Sequence, residues 1–346
     1  GAWTSPGIIP TNGYFVIDQW DIGENMRLKR NPLLPEDMSG SGNIDAIEFA
    51  IVQDLDEAYA LWLNNEIDFC QVPSEELLPH RVNYSQETIQ VFEHWVFYFV
   101  FDVNAEPFDN VHVRRAFTAA FDNVSFVNDT LQGQGMPMTH LAPPGIFGAP
   151  PIDEVGVGYD LEFARVQLAK AGYPDCQGFP QVDLATFREN YYLPEDIIRK
   201  WEKNLNCPEG TINFQGDMAA NLFVENYPHI LFGAWGSDYP DENDWVGVVL
   251  QCNDQHLTLY RSCNATDNLI YQASIETDPD TRAELYYQIE EAFFGYEGEF
   301  PIAPVFWQVK YFANHTWLER TQALLFREAF YNWTLDMDAK LEEIGN

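Results

Sequence analysis

From Gln181 to Trp235 the chain reads "QVDLATFREN" (181–190), "YLPEDIIRKWEKNLN" (192–206), "TINFQG" (211–216) and "HILFGAW" (229–235). The first, third and fourth runs have the length and composition of strands, and the second reads as a helix. Strand-helix-strand alternation argues for a mixed α/β domain. The last strand runs directly into "LFGAWGSDYPDEND" (Leu231–Asp244), where acidic residues gather around one tyrosine and one proline. Asp241, Glu242 and Asp244 suit the first turn of a helix that begins after Pro240, where negative charge is favoured. Asp238 differs, because it falls between the strand end and that helix, beside Trp235 and Tyr239. A carboxylate held there among rings suits an ammonium group. The stretch superficially resembles a calcium loop, but it lacks the glycine and terminal Glu of an EF-hand, so no metal is expected.

Upstream, "NGYFVIDQWDIGENMRLKRNP" (12–32) alternates apolar and polar residues over two short runs, with Ile22-Gly23-Glu24-Asn25 as the turn of a hairpin. Asn43–Val52 continues as a strand, and Leu55, Ala58, Tyr59, Trp62 and Leu63 then recur at helical spacing. "HWVFYFVFDVN" (94–104) is the most apolar piece; it falls short of the roughly 18 residues of a membrane helix and reads as a buried strand. Val113, Ala116, Phe117, Ala120 and Phe121 line one helical face, and Arg114 and Arg115 of the same helix read as surface or packing residues. "HLAPPGIFGAPP" (140–151) is dense in Pro and Gly and is the expected crossing between domains. Further helices are expected over the 159–174 segment, with Gly172 in a stop position, and from about Asp278 to Phe294. An extended segment (300–315) and a closing acidic helix complete the chain.

Composition narrows the function. The 346 residues suit two domains. Asp and Glu number 54 against 18 Lys and Arg, a formal charge of -36. That surface repels nucleic acid and anionic membranes, and it suits an extracellular or salt-exposed protein or one with cationic or zwitterionic ligands. Aromatic residues make up 15%, as in proteins that line clefts with rings. No Gly-x-Ser-x-Gly elbow, phosphate loop or dinucleotide fingerprint occurs, and the seven histidines show no metal-ligand spacing. Neither a catalytic residue nor a cofactor is therefore expected. The five cysteines show no zinc pattern. Cys252 and Cys263 bracket a short loop, and Cys176 and Cys207 lie in polar loops. Two disulfides are thus possible, which would imply an oxidising compartment. Cys70 is left over.

The blocks "NGYFVIDQWDIGENMRLKRNP", "LWLNNEIDF", "NAEPFDNVHVRRAFTAAFDN", "YDLEFARVQLAKAGYP", "AWGSDYPDEND" and "RSCNATDNLIYQA" resemble, in order, those of the family 5 extracellular solute-binding proteins. These are the dipeptide- and oligopeptide-binding receptors of ATP-driven (ABC) importers. The resemblance implies an α/β fold like the type II periplasmic binding proteins, with mixed sheets, flanking helices, and two lobes that close on a ligand. Residues 1–142 with a return segment 301–346 would form lobe I, and 143–300 lobe II. It implies that Asp238 pairs with a peptide α-ammonium, with Trp235 and Tyr239 as walls, and that Arg188 in "LATFREN" takes the carboxylate. A monomeric, periplasmic or extracellular receptor follows, with importer membrane subunits as partners and membrane anchoring through a preceding segment. The family also holds receptors for oligosaccharides and metal chelates, and a ligand-sensing module fused to a regulatory protein is a further alternative. Some members bridge the region of Cys70 to a cysteine near their N-terminus. Gln215 stands where several relatives have a tryptophan near the ligand, so side-chain preference does not transfer.

Overall fold

The computed structural model describes residues 9, 11–35, 37, 40–186, 194–217, 227–252, 261–320 and 329–345. The chain forms two compact units, one of residues 1–92 and 310–346 and one of residues 93–309.

In the first unit, β1 (Phe15–Asp21), β2 (Asn25–Arg30) and β3 (Ala46–Ala50) form an antiparallel meander. The β1–β2 turn needs a residue with positive φ, and Gly23 supplies it at +87°. The helix Leu55–Leu63 starts at Asp54, whose carboxylate accepts the N–H groups of Asp56 and Glu57. It buries Tyr59 and Trp62 while Leu55 and Leu63 stay exposed. Trp62 stacks on His315, which in turn stacks on Trp317. β4 (Phe69–Gln71) carries Cys70, a free and buried thiol whose pKa burial pushes up to about 12.

The long strands β5 (Thr88–Phe101) and β10 (Ile302–Asn314) carry the chain from one unit to the other. The second unit is built on them together with β6 (Gly135–Pro137), β7 (Val182–Thr186), β8 (Ile212–Asp217) and β9 (Ile230–Gly236). Its strand order is β10-β5-β9-β7-β8, with β6 on β10. β9 runs antiparallel to β5 and parallel to β7, and β7 is parallel to β8. The sheet is therefore mixed, as the strand-helix alternation predicts.

Helix Val111–Ala120 and helix Pro194–Leu205 cover this sheet through aromatic residues. Phe99, Phe117 and Phe121 pack against the fully buried Trp201, whose indole N–H donates to the Phe117 carbonyl at 2.8 Å. Each such ring contributes on the order of 1.5–3 kcal/mol through burial. Arg114 and Arg115 are packing residues and not surface ones. Arg114 donates to the carbonyls of Phe108, Asp109 and Glu299, and Arg115 to those of Gly298 and Glu297. Burial draws the Arg114 pKa down to about 10.

The segment 140–151 was expected to cross between domains, with boundaries at 142/143 and 300/301. It lies instead inside the second unit, and the units exchange at 92/93 and 309/310. His140, Leu141 and Ala142 are buried, and the Glu290 carboxylate accepts the N–H groups of Leu141 and Ala142 at 3.2 and 2.8 Å. Pro and Gly here serve tight packing: a Cβ on Gly148 would meet the Tyr286 ring at 2.4 Å. Two disulfides, Cys176–Cys207 and Cys252–Cys263, lie in this unit.

Candidate functional site

The acidic stretch after β9 is held as a structured loop. Register pairs Val96 with Trp235 and Trp95 with Gly236, and the Ser237 N–H donates to the His94 carbonyl at 3.0 Å. Gly236 is required: a Cβ there would sit 2.8 Å from the Trp95 ring. The half-exposed Trp95 thus lies over the backbone two residues before Asp238. Nothing in the sequence around Trp95 singled it out, because the strand pairing that brings it here is non-local.

Asp238 is exposed, and among the described residues no side chain engages its carboxylate. Tyr239 is 41% exposed, and its hydroxyl accepts from Asn243 Nδ2 at 3.0 Å. Trp235 is half-buried and donates its indole N–H to Asp244 Oδ2 at 3.4 Å. Trp235 stands near the end of β9, and Asp238 and Tyr239 follow it in the loop. Arg188 lies outside the described residues, so its place relative to them is not part of this geometry. Gln215 donates to Asp183 Oδ1 at 2.7 Å.

The helix expected after Pro240 starts at Asn243 with Asp244 in its first turn and runs on as a π-helical turn, Val246–Leu250, while Glu242 and Asp244 are buried. Asp244 Oδ2 accepts the backbone N–H of Asp238 at 2.8 Å. Burial raises its pKa, opposed by the hydrogen bonds from Asp238 and Trp235. Asp241 forms a bidentate pair with Arg282 at 2.6 and 2.8 Å and also accepts from the Tyr286 hydroxyl at 3.2 Å. The Arg282 guanidinium stacks over Phe147 and Tyr286. Glu242 donates its N–H to the Phe147 carbonyl at 2.9 Å, while its carboxyl meets no hydrogen-bond partner among the described residues. Burial, then the neighbouring Glu290 and Asp241, hold its pKa well above the usual carboxylate range. Helix Pro279–Phe294, capped by Asp278 and started by Pro279, supplies Arg282, Tyr286 and Glu290 as one rigid support.

The Cys252, Cys263 and Asp267 side chains approach one another closely enough for a metal, but both sulfurs are engaged in the disulfide. Among the described residues this loop presents the exposed carboxylate of Asp238 near the rings of Trp95, Trp235 and Tyr239, on a frame that includes the buried Glu242 and Asp244.

Residues 1–256 match the family of bacterial extracellular solute-binding proteins, family 5, middle region, and the chain belongs to that family of binding proteins. It is similar to the dipeptide-binding protein DppE of Bacillus subtilis, 26% identical over 327 residues that cover 90% of this chain and 56% of DppE. The oligopeptide-binding protein OppA of Bacillus subtilis is 24% identical, over 89% of this chain and 57% of OppA. The chain thus spans little more than half the length of these relatives. Among solved structures, HbpA2 from Haemophilus parasuis shares the fold with a TM-score of 0.78 at 20% identity, over 94% of this chain and 64% of that one. No helix among the described residues is long and apolar enough to cross a membrane.

Proposed function

We propose that this chain is the ligand-holding part of an extracytoplasmic receptor that captures peptides by their free α-ammonium and delivers them to the membrane subunits of an ABC importer. The observation that carries the reading is the exposed Asp238 carboxylate, engaged by no side chain among the described residues, on a loop fixed by Asp244 and Asp241. Trp95, Trp235 and Tyr239 supply apolar walls, and the net charge of -36 favours ligands with a positive end. Arg188 is assigned the peptide carboxylate. The receptor acts as a monomer in a periplasmic or extracellular setting, performs no catalysis, needs no cofactor and does not contact nucleic acid. Names of the relatives DppE and OppA, which denote dipeptide and oligopeptide binding, support the peptide class.

The test is a thermal-shift panel of di-, tri- and pentapeptides beside sugars and free amino acids, run on the full natural protein. A ligand at about 100 times its dissociation constant adds roughly 2.7 kcal/mol of stability, a readily visible rise in midpoint. Peptides alone should raise it. A rise with sugars alone would move the protein to the oligosaccharide class and remove the role of Asp238 as an ammonium partner.

A further inference from the structure

We propose that Asp244 is the positioning residue of this site: it fixes the Asp238 backbone and the Trp235 indole as one unit, and thereby sets affinity for ligands with a free ammonium. The inference rests on the reading of Asp238 given above. One oxygen of Asp244, Oδ2, accepts from both the Asp238 N–H at 2.8 Å and Trp235 Nε1 at 3.4 Å. Asp244 itself is 1% exposed, so no ligand needs to touch it for it to act.

Its own position is over-determined. The Asp244 N–H donates to the Asp241 carbonyl at 3.0 Å, and Asp241 is held by Arg282. The next residue, Trp245, is fully buried. A continuous chain of restraint therefore runs from helix Pro279–Phe294 through Asp241 and Asp244 to the Asp238 backbone. Two residues of the site, one a charge and one a wall, hang on a single buried oxygen. The ordering of this loop is thus met during folding and does not have to be met on ligand capture. The Asp238 carboxylate, engaged by no side chain among the described residues, stays exposed.

The experiment is a double-mutant cycle on the full natural protein with a randomised tripeptide mixture and the same mixture N-acetylated, reading apparent dissociation constants. Asp244→Ala should weaken the free mixture by at least about tenfold and leave the acetylated one within about twofold. Asp244→Asn, which keeps an acceptor oxygen, should recover most of that loss. In an Asp238→Asn background, Asp244→Ala should have no further effect. Equal weakening of both mixtures, or additive effects of the two substitutions, would overturn the proposal by showing a general scaffold role. No effect of Asp244→Ala while Asp238→Asn is weakened would also overturn it. Failure of the wild-type protein to prefer free over acetylated peptides would refute the reading of Asp238 and leave this step without its basis. If Asp244→Ala melts below the assay temperature, Asp244→Ser takes its place, with a loss confined to free peptides expected and a loss shared by both mixtures contradicting the proposal.

Discussion

Arg282→Met removes the guanidinium that ties the acidic loop to helix Pro279–Phe294, and its cost can be built from the contacts. Arg282 makes two bonds to Asp241 at 2.6 and 2.8 Å and one to the Tyr286 hydroxyl at 2.7 Å. Its Nε donates to the Ala273 carbonyl at 2.8 Å. The two charged side chains are 19% and 23% exposed, so solvent screens the pair in part. Charge-assisted bonds then count at the low end of their range, about 1.5 kcal/mol each, or about 3 kcal/mol for the pair. Methionine keeps a flexible apolar chain of similar length at this position but loses the guanidinium stacking over Phe147 and Tyr286. For a unit of the size of residues 93–309, each kcal/mol shifts the midpoint by about 2–4 °C. The expected fall is therefore about 6–12 °C, read by calorimetric melting at 150 mM salt. The pair Asp241→Asn with Arg282→Met should fall less than the sum of the single substitutions. A fall below about 2 °C, or strict additivity, would refute this account of the loop.

Glu242 titrates in the opposite sense from a salt-bridged acid. Its folded pKa is raised, so its protonated form is favoured in the native state, and stability drains away as pH rises from about 4.5 towards that raised pKa. Relative to wild type, Glu242→Gln should gain by up to about 1.4 kcal/mol per pH unit across that window, measured by urea unfolding at pH 5, 6 and 7; parallel curves would contradict it. Loss of the Cys176–Cys207 bridge, which closes a separation of 31 residues, should cost roughly 3.5 kcal/mol by chain entropy, read as a lower urea midpoint of the Cys176→Ala/Cys207→Ala protein. A thiol reagent should detect Cys70 only slowly in the native chain, and one thiol per chain after denaturation without reduction; rapid native reaction would contradict its burial.

The sequence exposed the elements better than their neighbours. Periodicity located the helices at Leu55–Leu63, Val111–Ala120 and Pro279–Phe294 because caps and apolar spacing are local signals. It misjudged the Pro/Gly-dense segment 140–151, because a stretch that cannot form a helix or strand can as well be packed around buried carboxylates as span a linker. The helix start after Pro240 was legible, with Asp244 in its first turn, but the burial of Glu242 and Asp244 was not, because the Arg282 that pairs with Asp241 lies some forty residues on. Asp238, Trp235 and Tyr239 were legible together because they are neighbours in sequence, whereas Trp95 enters the site through the β5–β9 register alone.

The central claim is tested most directly by calorimetric titration of the full natural protein, and of its Asp238→Asn form, with a randomised tripeptide mixture at pH 7. The account predicts saturable binding by wild type that falls by one to two decades in Asp238→Asn, the equivalent of about 1.5–3 kcal/mol for one charge-assisted contact. Equal affinity of the two proteins would contradict it and place the ligand's ammonium elsewhere.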